Sequence, residues 1–141
     1  METGELAGVS VDLAREVGRR LDAGIDCRPF DSAGKLTEAV TGGDLDMMFL
    51  AVDPVRAAEI LFTAPYVVIE GTYLVREDAS YQAVDDLDRA GIRIAVGKGA
   101  AYDLFLSRHL KHASLERAVT SSEAIALFVE GQLDAAAGVR Q

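Results

Sequence analysis

The sequence has little of what builds disulfide frameworks and metal centres. Its 141 residues include one cysteine and two histidines. A single cysteine excludes an internal disulfide, and Cys27 with His109 and His112 makes neither a credible zinc site nor a Cys/His catalytic pair. We therefore expect no metal and no other cofactor, and we interpret Cys27 as a small residue in a strand.

Basic residues and long apolar runs are also scarce. The chain has 14 Lys and Arg against 23 Asp and Glu, a formal net charge of -9, which disfavours nucleic acid or an anionic membrane as a partner. No apolar run is long enough to span a bilayer, and we find no signal peptide in the chain as given. The sequence does not determine the cellular compartment, because a mature secreted protein and a cytoplasmic protein look alike once a leader is removed.

Helical and strand patterns alternate along the first half of the sequence. With 50% hydrophobic residues the chain can bury a core. The apolar stripe Leu13, Ala14, Val17 and Leu21 after a possible cap at Ser10 predicts an amphipathic helix. It is followed by a strand at Ile25–Phe30, a helix that ends at Gly42-Gly43, and a strand or strand pair at Tyr66–Val75.

The second half repeats this plan and indicates a two-lobed α/β fold. We predict strands at Ile92–Val96, Leu115–Thr120 and Leu133–Val139, a short helix at Asp85–Ala90, and a helix after Gly97 that buries Leu104 and Phe105. TSSE, with Thr120 and Glu123 at capping-box spacing, opens a last helix. The polar segment after Arg76 suggests a first lobe at 1–76 and a second at 77–141, each with a parallel sheet.

The stretch from Asp46 to Tyr66 predicts an anion site. Met47–Val52 reads as a strand covered on both faces, followed by a helix that Asp53 caps. Arg56 falls in the first turn, where free backbone N–H groups and the helix dipole favour an anion and a guanidinium matches a carboxylate or phosphate. The alternative is a surface arginine paired with Asp53 or Glu59.

A second candidate anion site lies at Gly97–Asp103, between a predicted strand and a predicted helix. Glycines at this position suit the approach of an anion to the backbone. Neither the dinucleotide fingerprint nor the phosphate loop is matched, because Tyr102 stands where a third glycine is needed and GK is not followed by Ser or Thr. The alternative is that Gly97 and Gly99 serve only the turn and bind no anion.

Four blocks of the sequence together resemble one family. GELAGVSVDLAREVGRRL, GDLDMMFLAVDPVRAAEILFTAPY, LDRAGIRIAVGKGAAYDLFL and SSEAIALFVEGQLDAAAG are similar to the family 3 extracellular solute-binding proteins, type II periplasmic binding proteins that serve ABC importers of amino acids. The resemblance implies two α/β lobes that close over a ligand, a periplasmic or extracellular membrane-associated location, and an ABC permease as partner.

The resemblance also implies a set of ligand-binding residues. Arg56 takes the place of the arginine that holds the ligand's α-carboxylate, Phe49 and Ala51 stand where backbone or hydroxyl groups are offered, and the turn at Gly99 donates from the other lobe. The full set is Phe49, Leu50, Ala51, Arg56, Gly99, Ala100 and Ala101.

The chain departs from the family in its polar residues. Ala51, Ala100 and Ala101 stand where many relatives have Ser or Thr, Val139 replaces the acid that would hold an α-amino group, and an aromatic residue near Ala33 is missing. We expect a small carboxylate without an amino group, an apolar acid, or a site that has lost its ligand.

The ends depart from the family as well. Relatives have a central strand before GELAG and a return to the first lobe after the position of Gln141, so we expect a truncated first lobe that a homodimer or strand exchange completes. We expect a receptor and not an enzyme. The alternatives are a fragment that acts as an interaction module without ligand, or a dehydratase-like enzyme with Glu70 or Asp103 as its acid.

Overall fold

The structure, a computed structural model, describes residues 5–140. We call residues 5–70 the first half and residues 71–140 the second half. The described helices and strands are, in order, α1 (Val9–Leu21), α2 (Ala33–Thr41), β1 (Gly71–Leu74), β2 (Arg93–Gly97), α3 (Ala101–His109), β3 (Ser114–Ala118), α4 (Ser121–Glu130) and β4 (Ala135–Val139), with short 3-10 turns at Arg56–Ala58 and Val84–Leu87. No helix within residues 5–140 is both long and apolar enough to cross a membrane.

One four-stranded sheet organises the second half. Its strand order is β1-β4-β2-β3, and β2 runs parallel to both β3 and β4. β1 pairs antiparallel with β4, from Gly71 opposite Val139 to Leu74 opposite Ala136. The predicted α/β class is confirmed, and the sheet of the second half is mixed: three parallel strands carry one antiparallel strand, β1, at the edge. Because β1 precedes residue 77, the sheet takes one strand from the predicted first lobe, and the division at 76 remains a prediction.

Helices cover both faces of this sheet. Successive side chains of β2 point to opposite faces, so Ile94 and Val96 join one cluster and Ala95 the other. The cluster that includes Leu106 of α3 comprises Leu87, Ile94, Val96, Leu106, Ala135 and Ala137. The cluster beneath α4 comprises Ala95, Ala124, Phe128, Leu133 and Ala136. The short side chains of β2 and β4 let α4 pack close to the sheet.

The helix ends follow local sequence signals. Thr120 and Glu123 form the predicted capping box, with the Thr120 hydroxyl 3.1 Å from the Glu123 nitrogen, and α2 ends at Gly42 as predicted. The cap of α1 is different, because Gly8 holds the N-cap position and Ser10 bonds the Tyr66 hydroxyl instead. Leu21, placed on the buried stripe by the sequence, is 71% exposed.

The two strands predicted in the first half are wrong for the described residues. Ile25–Phe30 and Met47–Val52 form no ladder with any described segment. A strand exists only when a neighbouring strand pairs with it, which the local apolar pattern cannot reveal. Met47 is 41% and Val52 56% exposed, so the second segment is not covered on both faces either.

Three further predictions need correction. Only Gly71–Leu74 of the Tyr66–Val75 segment is a strand, because only these residues lie beside β4. The helix predicted at Asp85–Ala90 is a 3-10 turn at Val84–Leu87. In α3 the sheet-facing residue is Leu106, whereas Phe105 is 52% exposed and stacks on the His109 ring at 3.9 Å between centroids.

Asp88 closes a loop of the second half through three backbone bonds. Its carboxylate accepts from the N–H groups of Lys111, His112 and Ala113 at 2.8–3.1 Å. These bonds, first those of Ala113 and His112, lower the pKa of the Asp88 carboxyl despite its partial desolvation. A lowered folded-state pKa stabilises the fold above the unfolded-state pKa, and this contribution is lost as the pH falls through the folded value.

We expect Asp88→Asn to lower the melting temperature by several degrees at pH 7 and to weaken its further fall on acidification. An amide offers one acceptor oxygen where the carboxylate offers two. Differential scanning calorimetry between pH 7 and pH 3 measures both effects. Asp85→Asn, in the preceding turn, removes the same charge from a carboxylate that accepts no backbone bond within the described residues, so it is the control and should lower the melting temperature at pH 7 much less. Parallel profiles for Asp88→Asn and the wild type would contradict this account.

Candidate functional site

A tight turn after the Met47–Val52 segment positions Arg56. The Asp53 carboxylate accepts from the Val55 N–H at 2.8 Å, and the Asp53 carbonyl accepts from the Ala57 N–H at 2.8 Å. The turn continues only as the 3-10 segment Arg56–Ala58. The predicted helix is therefore wrong, and with it the contribution of a helix dipole, which needs several aligned peptide units. The predicted bond from the next turn to the Asp53 carboxylate is confirmed, whereas the N-cap of the 3-10 segment is Val55.

The Arg56 guanidinium lies between the two halves of the chain. One terminal nitrogen donates to the carbonyl of Ala51 at 2.8 Å, and the other donates to the carbonyl of Gly99 in the second half at 2.7 Å. Arg56 is 3% exposed, and its Nε has no hydrogen-bond partner within the described structure. The alternative of an exposed arginine paired with Asp53 or Glu59 is therefore wrong.

This buried cation has no paired carboxylate among residues 5–140. Burial lowers the pKa of the Arg56 guanidinium, and the charge of Asp53 offsets that effect only in part. Neutral carbonyls compensate a buried charge less well than an anion does. The site is electrostatically suited to receive one more negative group.

Asp53 is already paired, with a residue that the sequence did not single out. Arg108 of α3 reaches it from the second half, at 2.7 Å and 3.3 Å from its two carboxylate oxygens. Burial alone would raise the pKa of the Asp53 carboxyl, but the bonds from Arg108 and from the Val55 N–H outweigh it and lower the pKa. The ion pair therefore contributes to holding the halves together above the acidic range and is lost as Asp53 protonates.

Two glycines allow the halves to approach closely beside Arg56. A Cβ added to Gly34 of α2 would lie 2.9 Å from the carbonyl oxygen of Lys98, and one added to Gly99 would lie 2.9 Å from the Cα of Gly34. Gly99 also has a φ of 72°, which other residues rarely adopt. The Arg56–Gly99 bond depends on this contact, because a side chain at either position would separate the two backbones.

The predicted site residues fall into two groups. Ala51, Arg56 and Gly99 are directly bonded, and Arg56 and Gly99 line a cavity of about 260 Å³. Phe49 and Leu50 instead line a larger cavity of about 740 Å³, where the Phe49 ring packs edge-on against Tyr66. Ala100 and Ala101 cap and begin α3, and neither lines these two cavities.

The loop before α3 uses its N–H groups internally. The Gly99 N–H donates to the Asp103 carboxylate at 2.8 Å, and the Ala100 N–H donates to the Gly97 carbonyl at 3.1 Å. Asp103 is 3% exposed and also accepts from Ser107 and Arg117. Gly99 therefore contributes its carbonyl to the site and not its N–H. Asp103 is engaged by three donors, which disfavours it as a free catalytic acid.

Two residues of the site were missed by the sequence analysis, Gly34 and Arg108. Gly34 differs from an ordinary helix residue only in lacking a side chain, and Arg108 stands in the last turn of α3, where a basic residue is common. One signal could have led to Arg108: an acid at Asp53, if buried, needs a cationic partner. Among the described residues, no group of acidic, histidine or cysteine side chains could hold a metal ion.

The chain is similar to one protein family over almost its whole length. Residues 1–137 match the model of the bacterial extracellular solute-binding proteins, family 3. No curated protein sequence matches the chain.

Solved structures share the fold at low sequence identity. One is an ancestral amino-acid-binding protein described as a precursor of cyclohexadienyl dehydratase, at 24% identity and TM-score 0.80, where 99% of this chain covers 63% of that one. Another is holo ArgBP from T. maritima, at 24% identity and TM-score 0.80, where 99% of this chain covers 62% of that one. A third is a putative ABC transporter binding component from Wolinella succinogenes DSM 1740 complexed with lysine. It has 22% identity and TM-score 0.79, and 99% of this chain covers 61% of it. The chain thus spans somewhat over three fifths of each.

Proposed function

From the premise that the chain belongs to the bacterial extracellular solute-binding proteins, family 3, we propose that it binds a small carboxylate-bearing solute at Arg56, between its two halves. Family membership supports a solute-binding role without catalysis. Its fold is that of the type II periplasmic binding proteins. Family membership does not by itself give a carboxylate on the solute, binding at Arg56, or lobes at 1–76 and 77–141; these are parts of our proposal.

The observation that carries the proposal is the Arg56 guanidinium. It is 3% exposed, and within residues 5–140 it bonds two main-chain carbonyls and keeps a buried Nε without a partner. A carboxylate can bind such a fork with two parallel bonds and at the same time neutralise the buried charge. A binding solute would take the place of the Gly99 carbonyl or add to it through Nε.

The cavity beside Arg56 indicates the size and polarity of the solute. At about 260 Å³ it is slightly below the range usual for drug-sized ligands. Apolar side chains form much of its wall, among them Val40, Val55, Ile60 and Leu104. Two acids, Glu38 and Glu59, also line it. A short apolar acid fits this wall. By the resemblance, Val139 at the end of β4 stands where an acid would hold an ammonium group, although it does not line this cavity.

We expect thermal shift to rank matched ligands by their carboxylate. For each carbon skeleton, the carboxylic acid, the corresponding α-amino acid and the corresponding amine are compared at equal concentration. Bound ligand stabilises the native state as the logarithm of its concentration over the dissociation constant. The acid should raise the melting temperature most, the amino acid less, and the amine not at all.

Two outcomes would contradict this proposal. If an amino acid binds more tightly than its deaminated partner, then Glu38 or Glu59 holds its ammonium group and the solute is an amino acid. If no acid in the series shifts the melting temperature, the chain is better described as an interaction module without a ligand. Product formation from a ring carboxylic acid would instead support a dehydratase, the remaining alternative.

We also propose that the protein works outside the cytoplasmic membrane and delivers its solute to an ABC permease. This rests on family membership and on the solved binding component named above, which is described as part of an ABC transporter. Permease and ATPase genes beside the gene for this chain would support the assignment. A neighbouring sensor kinase gene would point to signalling in place of import.

A further inference from the structure

The Arg56 guanidinium is enclosed although part of it is unused. Nη1 donates to the Ala51 carbonyl at 2.8 Å, and Nη2 donates to the Gly99 carbonyl at 2.7 Å. Nε is buried and has no hydrogen-bond partner within residues 5–140. Nε and Nη2 together form one of the forks that a carboxylate can bind with two parallel bonds. A carboxylate reaches this fork only if a group that covers it moves away.

Of the two carbonyls that hold Arg56, that of Gly99 is the one that a solute can displace. Ala51 lies five residues before Arg56 in the first half, and the Asp53 carboxylate fixes the turn between them through the Val55 N–H. Gly99 lies 43 positions away in the second half. It also bonds Nη2, a member of the fork, whereas Ala51 bonds Nη1.

A buried acid holds the loop that carries the Gly99 carbonyl. The Gly99 N–H donates to one carboxylate oxygen of Asp103 at 2.8 Å, and the other oxygen accepts from Arg117 at 3.0 Å. The Ala100 N–H, in the same peptide plane as the Gly99 carbonyl, donates to the Gly97 carbonyl at 3.1 Å. Both peptide units that flank the Gly99 Cα are therefore held, and the side chain that contributes to this is Asp103.

We propose that the Gly99 carbonyl occupies the place of one solute oxygen on Arg56, and that Asp103 sets how readily the solute displaces it. This rests on the proposed function, because it concerns the same site. The solute exchanges a neutral acceptor for an anion, which compensates the buried charge better. Asp103 does not line the cavity beside Arg56. It is a positioning residue that acts through Gly99.

The exchange leaves the two halves joined. The ion pair of Asp53 with Arg108, at 2.7 Å, and the close contact of Gly34 with the Gly99 loop do not involve the fork. Displacement therefore costs the bond from Arg56 to Gly99 and leaves the cavity walls in place. Loosening Gly99 alone should make binding easier, whereas separating the halves would take the cavity apart.

Asp103→Asn tests the role of Asp103. The single oxygen of the asparagine is expected to stay with the charged Arg117, so that its amide group faces the Gly99 N–H and cannot accept from it. We expect the dissociation constant for butyrate, a short apolar acid, to fall roughly tenfold, which corresponds to about 1.4 kcal/mol. An NMR titration followed on the Arg56 Nε–H signal measures it. A residue with a merely structural role would weaken binding when substituted.

Asp88→Asn is the matched control. It makes the same substitution in another acid that holds a backbone loop of the second half, through the N–H groups of His112 and Ala113. It should leave the dissociation constant for butyrate unchanged. Circular dichroism checks that both variants are folded.

The unmodified chain tests the displacement directly. In a protein labelled with carbon-13, saturation with butyrate should move the Gly99 carbonyl signal upfield, as loss of a hydrogen bond does, and leave that of Ala51 in place. An unmoved Gly99 signal with butyrate bound would overturn the inference, because the solute would then add through Nε alone. Butyrate binding by folded Asp103→Asn that is no tighter than wild type would overturn it too, and in both cases the proposed function stands. If butyrate binds neither protein, the inference fails, and if no acid of the matched series binds, the proposed function fails with it.

Discussion

Arg56→Ala is expected to weaken binding of the best carboxylate from the matched series by at least about a hundredfold. The variant loses two charge-assisted bonds, each contributing roughly 1.5–3 kcal/mol, and each 1.4 kcal/mol corresponds to about a tenfold change in affinity. Arg56→Lys should also bind much more weakly, because an ammonium group cannot reproduce the planar fork. Isothermal titration calorimetry measures both variants.

Arg93→Ala provides the matched control for this prediction. Arg93 also donates to a main-chain carbonyl, that of Gln132 at 3.2 Å, but it lies within the second half and lines neither cavity. Its loss should leave affinity unchanged. Arg56→Ala also removes the donor of the Ala51 and Gly99 carbonyls, so circular dichroism must show that the variant is folded before its affinity is compared. Wild-type affinity in a folded Arg56→Ala protein would remove Arg56 from the site.

The second large effect is expected from one added methyl group. Gly34→Ala places a Cβ 2.9 Å from the Lys98 carbonyl oxygen, a backbone atom, so one of the two backbones must shift. The halves should separate enough to break the bond from Arg56 to Gly99. Loss of a bond to a charged group, at roughly 1.5–3 kcal/mol, disfavours the closed arrangement by about 10- to 150-fold.

Small-angle scattering should show a larger radius of gyration for Gly34→Ala, and the affinity for the same carboxylate should fall. Gly71→Ala is the control, because a Cβ there meets no atom within 4 Å and the backbone has an ordinary φ. Scattering and affinity that both match the wild type would show that the close approach of Gly34 and Gly99 does not determine closure.

The features that the sequence predicted correctly depend on near neighbours. The capping box of Thr120 and Glu123, the end of α2 at Gly42 and the bond from the Val55 N–H to Asp53 each involve residues a few positions apart. The strands β2 and β4 were also predicted, because their apolar runs are buried whatever their exact partners.

The features that it missed depend on distant residues. Ile25–Phe30 has the composition of a strand, but pairing requires another segment beside it, and no described segment takes that place. The ion pair between Asp53 and Arg108 joins residues 55 positions apart. The sequence around Gly34 or around Gly99 does not predict the contact between them. For the site, Arg56, Ala51 and Gly99 were linked only through a resemblance, and the roles of Ala100 and Ala101 remain predictions.

Both groups that hold Arg56 are main-chain carbonyls, those of Ala51 and Gly99. Substituting the side chain at position 51 cannot delete a carbonyl oxygen, so the Arg56 guanidinium keeps this bond whichever residue stands there. A hydroxyl introduced at position 51 would leave this bond in place. If the proposed site binds a carboxylate, the position of its anion-binding group is therefore set by the backbone, and the side chains that line the cavity determine which acid it accepts.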